Sequence, residues 1–327
     1  MSVMKVTLSA LAVFMTSATC VMAQTVKWDM PNEYNQTSIP GVADEYFAKI
    51  LKEKTGGAIE IMHHFGGALG YKGPQMLDAV GSGAVPIGNL FAGPLSGIDP
   101  LFLLSSLPFV AATPEEAKKL LDVSRDQYEA VFLKNNQKML YAMPWPPSGI
   151  WARSRIDNLD SLKGLKIRTY DPSGTKTFSG AGATPLQVSW ADTVPQVGAG
   201  VLDGVLTSAE LGNAAKLWEQ LPYFTGINYS MPLNIVTINL DVWDELSPEL
   251  QQAVTEAGIA TENHQWATIS DHVIQDYKVI RDNNGTVIED PAEDLMAALK
   301  ENSKGAIDDW LAKIGDRGQT ILGKFKQ

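Results

Sequence analysis

Apolar residues in the first half of the chain form short runs separated by longer amphipathic stretches. Four runs have the length and composition of buried strands: residues 26–30, 58–65, 85–91 and 138–145. Three intervening stretches have helical spacing: residues 40–57, residues 73–81 and a stretch that begins at Pro114 behind a Thr113 cap. This strand–helix alternation predicts an α/β fold with mainly parallel sheets and helices on both faces.

The pattern restarts near Ser148, where "LKIRTY", "TPLQV" and "DGVLTS" are further strand candidates. The run 227–240 is unusually long for one strand, and Pro232 within it predicts an edge or a bend. A helical pattern then runs from Ser247 towards Gly285. About 35 residues at ~1.5 Å each span ~50 Å, which exceeds one small domain.

These long elements predict two lobes that the chain crosses at least twice. We expect lobe I to comprise residues 24–147 and 236–272, and lobe II residues 148–235 and 273–327. Two lobes form a cleft, and a cleft between domains is a favoured place for a small ligand.

The first 23 residues are typical of an export signal. Lys5 precedes the apolar run "VTLSALAVFM", which is too short to span a bilayer. Val21 and Ala23 then predict cleavage after Ala23 and a periplasmic mature protein. The single cysteine, Cys20, lies in this segment, so the mature chain has no thiol chemistry.

The charge of −11 and the isoelectric point of about 4.9 argue against nucleic acid or an anionic membrane as partner. The four histidines, His63, His64, His264 and His272, are not spaced as a metal site, and no HExxH, GxSxG or SxxK motif is present. We therefore expect no enzyme, no metal and no cofactor. An enzyme acting on organic acids through Asp171 or Glu210 is the alternative from another class.

Arg168 leaves the strand "LKIR" directly before the turn "DPSG", where Asp171 or Ser173 caps the helix that follows. Arginine at this position could pair with an acidic side chain. It could also bind a ligand, because open α/β sheets place ligands at the carboxyl ends of strands. A guanidinium can bind a carboxylate through two parallel hydrogen bonds, and a helix start adds free N–H groups.

Two segments resemble the extracytoplasmic solute-binding proteins of TRAP transporters: "DSLKGLKIRTYDPSGTKTFSGAGATPLQVSWADTVPQVGAGVLDGVLTS" and "KLWEQLPYFTGINYSMPLNIVTINLDVWDELSPELQQAV". The matching elements are "LKGLKIR", "GA-x-P", "G-x-x-DG" and "N-x-x-x-W-x-x-L". The resemblance implies a two-lobed binding protein that closes on an organic anion and delivers it to a permease with a small and a large membrane subunit. A binding protein for another class of importer is a second alternative.

The resemblance places the family's carboxylate-binding arginine at Arg168 and its stacking aromatic residue at Trp190. Many members carry an asparagine where this chain has Thr207, with Ser208 beside it. A further arginine in some members has Arg153 as its nearest candidate here. Tyr170 and residues of the loops after first-lobe strands complete the predicted lining: Asn32, Tyr34, Phe65, Tyr71, Asn89, Phe91 and Trp145.

Aromatic residues around one arginine favour a monocarboxylate with an apolar, hydroxylated or aromatic body over a C4-dicarboxylate. We expect a monomer.

Overall fold

The computed structural model describes residues 25–327, so the predicted signal segment lies outside the described residues. Eleven strands are numbered here in chain order: β1 (Val26–Pro31), β2 (Ile59–His64), β3 (Ile87–Phe91), β4 (Gln137–Pro144), β5 (Ser148–Ala152), β6 (Lys166–Thr169), β7 (Thr184–Gln187), β8 (Gly204–Ser208), β9 (Tyr223–Thr225), β10 (Leu233–Asn239) and β11 (Thr286–Ile288). The first lobe contains the sheets β1-β2 and β3-β10-β4, and the second contains β11-β9-β5-β8-β6-β7.

The two larger sheets differ in strand direction. Both pairs of the sheet β3-β10-β4 are antiparallel, because β10 runs against β3 and β4. The six-stranded sheet is parallel apart from β5, which runs antiparallel to β8 and β9. Both reversed strands enter directly from the other lobe, without the crossover helix that a parallel connection needs. The predicted two-lobed α/β fold is therefore confirmed, but the larger sheet of the first lobe is not parallel as predicted.

The helices flank these sheets: α1 (Ile39–Lys54), α2 (Pro74–Gly81), α3 (Pro114–Lys134), α4 (Leu159–Leu162), α5 (Pro172–Gly180), α6 (Trp190–Gly198), α7 (Ala209–Ala214), α8 (Leu240–Asp244), α9 (Pro248–Asp282), α10 (Glu293–Ile314) and α11 (Asp316–Phe325). Local sequence explains several starts. Thr113 and Glu116 form a reciprocal capping box at α3, and Asp171 Oδ1 accepts a hydrogen bond from Gly174 N at α5.

α9 is one unbroken helix of 35 residues and packs against elements of both lobes, including β4 and α7. Ser247 caps its start and Pro248 occupies its first position, as the sequence predicts. No helix within residues 25–327 combines the length and apolarity that a bilayer crossing needs.

The long apolar run 227–240 crosses between the lobes, and its strand, β10, begins directly after Pro232. Before Pro232, Ser148 N donates to Ser230 O (2.9 Å) and Tyr229 N donates to Ser148 O (3.0 Å). After it, Leu233 already pairs with Pro144 in the first-lobe sheet. The exact domain limits stay a prediction, and this pairing favours a limit before β10 rather than inside it.

Candidate functional site

Two adjoining cavities lie between the lobes, with volumes of about 20 Å³ and 270 Å³. Tyr34, Phe91, Arg168 and Tyr170 line both, so we treat the two as one space, the interlobe cleft. The structure brings eight of the thirteen predicted site residues to its wall: Tyr34, Phe91, Trp145, Arg168, Tyr170, Trp190, Thr207 and Ser208. Their role in ligand binding stays a prediction.

Arg168 is a buried cation, only 3% exposed, at the end of β6. Its Nε donates to Val188 O (2.9 Å) and its Nη1 donates to Leu206 O (3.2 Å). These bonds occupy two of the five N–H groups, and no ion pair within the described part of the chain includes Arg168. Burial lowers the pKa of this guanidinium, as expected for a desolvated charge. The remaining N–H groups can bind a carboxylate that enters the cleft.

Two aromatic rings reduce the cost of burying the Arg168 charge. The guanidinium carbon lies 5.6 Å from the Tyr170 ring centroid and 5.7 Å from the Trp190 ring centroid. Both distances permit cation–π attraction, which strengthens when the cation is desolvated.

The remaining aromatic residues form a wall beside the arginine. The Tyr34 ring centroid lies 4.9 Å from that of Trp145 and 6.3 Å from that of Phe91. Phe91 in turn lies 5.6 Å from Tyr170, and all three pairs meet edge to face. Such a wall suits a compact, largely apolar ligand body.

The hydroxyl groups of the cleft differ in whether they already form hydrogen bonds within the protein. Ser208 Oγ accepts from Leu211 N (3.1 Å) and thereby caps α7. Tyr170 OH lies 2.9 Å from Ser230 Oγ and 3.3 Å from Ser148 Oγ. Thr207 Oγ1 takes part in no hydrogen bond among the described residues. Thr207 is therefore the better candidate for a ligand contact, and Ser208 mainly holds the helix start.

Asn89 does not line the cleft but supports a residue that does. Its Nδ2 donates to Asp44 Oδ1 (2.8 Å), and its Oδ1 accepts from Asn234 Nδ2 (2.6 Å). Asn234 Oδ1 then accepts from Trp145 Nε1 (2.7 Å). This buried chain fixes the orientation of the Trp145 indole.

Asn32 supports Tyr34 in the same way. Its Oδ1 accepts from Tyr34 N (2.8 Å), and its Nδ2 donates to Asp44 Oδ2 (2.7 Å). Burial raises the pKa of Asp44 to about 7, although these hydrogen bonds oppose the rise. The two predicted asparagines therefore act behind the cleft, through one shared carboxyl group.

Three other predicted lining residues lie elsewhere. Phe65 stacks on His63 with ring centroids 5.0 Å apart, and Tyr71 packs against the apolar core around α2. Arg153 donates to the backbone carbonyls of Gln220 and Val197. β5 runs antiparallel, so its first residue, Ser148, faces the cleft, whereas Arg153 follows its far end.

Several lining residues were missed by the sequence analysis: Glu33, Lys72, Ser148, Leu211 and Pro232. Glu33 lies between two nominated residues in the loop after β1, so strand-end position could have identified it. Pro232 and Ser148 belong to the two crossing segments, whose side-by-side course follows from long-range pairing.

Several contacts between the described residues join the two lobes, some beside the cleft and others away from it. Glu33 Oε1 accepts from Ala191 N (3.2 Å), and Lys72 Nζ lies 3.0 Å from Asp192 Oδ1. Away from these, Glu210 Oε1 accepts from Ile39 N (2.9 Å). The structure therefore represents a closed arrangement of the two lobes.

Glu210 borders a separate cavity of about 280 Å³ between α1, α7 and α9. Burial, with a smaller effect of the Asp276 charge, raises the pKa of Glu210 to about 8. Burial also raises the pKa of Asp276 to about 7. Glu210 thus contributes to the interlobe contact, while Asp171, the other acid considered for catalysis, caps α5.

Two hinged α/β lobes around a buried arginine define a solute-binding protein rather than an enzyme. The family model DctP, bacterial extracellular solute-binding protein family 7, matches residues 32–313. The chain belongs to this family, whose members are non-enzymatic extracytoplasmic receptors of TRAP transporters that bind small organic acids.

Solved structures of the family are similar over nearly the whole chain. DctP6, a Bordetella pertussis receptor binding pyroglutamic acid, has 29% identity and a TM-score of 0.88, covering 92% of this chain and 99% of its own. A marine metagenome TRAP protein specific for pyroglutamate has 30% identity and a TM-score of 0.88, with coverage of 93% and 99%. The Escherichia coli 2,3-diketo-L-gulonate-binding protein YiaO is 25% identical, over 79% of this chain and 78% of its own.

Proposed function

We propose that this receptor captures a compact cyclic monocarboxylate of the pyroglutamate type. The observation that carries the proposal is Arg168, a buried cation with free N–H groups that lines both parts of the aromatic-walled interlobe cleft. The two similar structures at 29% and 30% identity, described as binding pyroglutamate, support the same ligand class.

The charges around the cleft favour one carboxylate rather than two. Arg168 and Lys72 are the basic residues among those lining the cleft, and Lys72 is already paired with Asp192 across the lobes. A second ligand carboxylate would be desolvated without a free cationic partner, which is costly. A five-membered ring, in contrast, is small and flat enough to lie against the aromatic wall.

Ligand binding would favour the closed form by population shift. The ligand carboxylate would bind Arg168 of the second lobe while the ring contacts Tyr34 and Phe91 of the first. Only the closed form presents both sets of contacts, so the ligand binds that form more tightly. The closed receptor would then deliver its ligand to a TRAP permease of two subunits.

The test is calorimetric titration of the purified chain 24–327 against L-pyroglutamate, D-glucuronate, succinate and benzoate. We expect L-pyroglutamate to bind with a dissociation constant of about 1 μM or lower, equivalent to about −8 kcal/mol, and succinate at least ~100-fold more weakly. Tighter binding of succinate or glucuronate than of pyroglutamate would overturn the proposed ligand class.

Size-exclusion chromatography with light scattering would test the expected monomer, and N-terminal sequencing of exported protein would test cleavage after Ala23.

A further inference from the structure

Glu33 is an acidic side chain in the same cavity as Arg168, but on the opposite lobe. It follows β1 in the first lobe, whereas Arg168 lies one residue before the end of β6 in the second. Both line the larger part of the interlobe cleft, of about 270 Å³, yet they form no ion pair in the described structure. The Glu33 carboxylate accepts from Ala191 N, and the ring of the preceding residue, Trp190, lies 5.7 Å from the Arg168 guanidinium carbon, so the two charged groups lie at the same end of α6.

Only one oxygen of the Glu33 carboxylate has a partner within the described residues. Oε1 accepts from Ala191 N at the start of α6, while Oε2 accepts no hydrogen bond there. Ser189, the N-cap residue of α6, makes no side-chain cap, so Glu33 supplies the missing acceptor from the other lobe. Oε2 keeps its full capacity to accept a hydrogen bond from a molecule in the cleft.

We infer that Glu33 is a specificity-determining residue that selects carboxylate ligands carrying an N–H donor next to the acid group. This inference rests on the proposed function and refines its ligand class to lactams and related N–H acids. In such a ligand the carboxylate binds Arg168 and the adjacent N–H donates to Glu33 Oε2.

The chemistry of a carboxylate acceptor explains the selectivity. A hydrogen bond from a neutral N–H to an ionised carboxylate is stronger than one between neutral groups. A ring oxygen in place of the N–H presents lone pairs to the same carboxylate, so attraction becomes repulsion. Selectivity therefore comes both from the bond gained by the correct ligand and from the repulsion of its oxygen analogue.

The same arrangement couples recognition to closure. Glu33 meets the N-terminus of α6 only when the lobes are together, because Ala191 belongs to the second lobe and Glu33 to the first. An N–H acid would then bridge Arg168 and Glu33, one from each lobe. A ligand without the donor would bind mainly the second lobe and favour closure less.

The experiment compares L-pyroglutamate with its ring-oxygen analogue, 5-oxotetrahydrofuran-2-carboxylate of the same configuration. The two compounds differ only in one ring atom beside the carbon that carries the acid group, which is N–H in the lactam and O in the lactone. Calorimetry measures both with the parent chain, with Glu33→Gln and with Asp192→Asn. The last is a matched control because it removes one negative charge from a residue at the same end of α6, also in contact across the lobes.

We expect the parent to bind the lactam at least ~10-fold more tightly than the lactone, in keeping with one charge-assisted hydrogen bond. Glu33→Gln should reduce this ratio to below ~3-fold, because the amide can donate to the ring oxygen. Asp192→Asn should keep the parental ratio, even if both affinities fall. If Glu33 only capped α6 and did not contact the ligand, Glu33→Gln would instead weaken the binding of both ligands equally.

Each other outcome has a defined meaning. Equal affinity of the parent for both ligands would overturn the role of Glu33 while leaving the proposed function intact. Absence of binding of either compound to folded parent protein would overturn the proposed ligand class, and this inference with it. The parent ratio alone decides the matter if Glu33→Gln fails to fold, as judged by circular dichroism.

Discussion

At the scale of single residues, the cleft is organised around a charge that the protein itself does not neutralise. Arg168 is buried against two backbone carbonyls and two aromatic rings, none of which carries a negative charge. Partial charges and ring quadrupoles hold the guanidinium in place but compensate its desolvation incompletely. A bound carboxylate would complete the compensation, so affinity and orientation come from one side chain.

Replacing Arg168 by methionine should remove this interaction while filling similar space. We expect affinity for L-pyroglutamate to fall at least ~100-fold, because the ligand carboxylate is then buried without a partner. Calorimetry on folded protein measures the effect. Arg153→Met is the matched control, since Arg153 lies in the same lobe but donates to carbonyls outside the cleft. If Arg168→Met bound within threefold of the parent, the anchor assignment would be wrong.

Local sequence identified Arg168 because its position depends only on a strand, a turn and a helix start. Contacts between residues far apart in the sequence were harder to predict. Asn32 follows β1, as predicted, and Asn89 lies within β3, but both side chains bind Asp44, 12 and 45 residues away. Arg153 was nominated without knowledge of the direction of β5. Which partner such a side chain contacts depends on the tertiary structure, and a local sequence pattern carries no information about it.

At the scale of secondary-structure elements, segments with a clear pattern were predictable, including the short strands β6, β7 and β8, whereas the two shortest strands were not. The helix α9 follows from its caps and its length, and β10 begins directly after Pro232. β9 and β11 have three residues each, too few to show a period, and neither was identified. The reversed strands β5 and β10 result from crossings between lobes, so their direction appears only when both sheets are known.

Gly258 offers a test of how tightly α9 packs against β4. Glycine inside a helix normally costs ~1 kcal/mol relative to alanine, so Gly→Ala usually stabilises. At Gly258, however, an added Cβ would lie 2.7 Å from the Leu140 carbonyl oxygen. We expect Gly258→Ala to lower the free energy of unfolding by ~1–3 kcal/mol in urea titrations, because backbone must shift.

Gly323 in α11 is the matched control, since an added Cβ there meets no atom within 4 Å. Gly323→Ala should raise the free energy of unfolding by up to ~1 kcal/mol. Opposite signs for the two substitutions would support close contact of α9 with the first-lobe sheet. A stabilising Gly258→Ala would show that α9 is packed less tightly than the structure indicates.

At the scale of the whole molecule, closure places ionisable groups between the lobes and in the core without cationic partners. Burial raises the pKa of Glu210 from 4.5 to about 8, and those of Asp44 and Asp276 from 3.8 to about 7. Between the unfolded and folded pKa values, the folded protein binds more protons than the unfolded chain. Stability from these groups is therefore fully present below about pH 4 and decreases as pH rises towards 8.

We expect the melting temperature of the ligand-free protein to fall between pH 5 and pH 8.5, and Glu210→Gln to make this fall shallower. Each unit of pKa difference corresponds to ~1.4 kcal/mol, so removing the Glu210 titration should remove on the order of 2–4 kcal/mol from the pH-dependent loss. The amide oxygen can still accept from Ile39 N, which keeps the interlobe contact. Scanning calorimetry across this pH range measures both proteins.

The control is Glu301→Gln, which removes an exposed carboxylate paired with Lys304 on α10. Its pH profile should parallel that of the parent.

The titration of Glu210 should also affect closure, because its hydrogen bond to Ile39 joins the lobes. The affinity for L-pyroglutamate should therefore weaken from pH 6 to pH 8.5, and it should weaken less in Glu210→Gln than in the parent. Parallel stability profiles for parent and Glu210→Gln would mean that Glu210 is hydrated and ionised in solution, and that the lobes are held by the contacts at α6 instead.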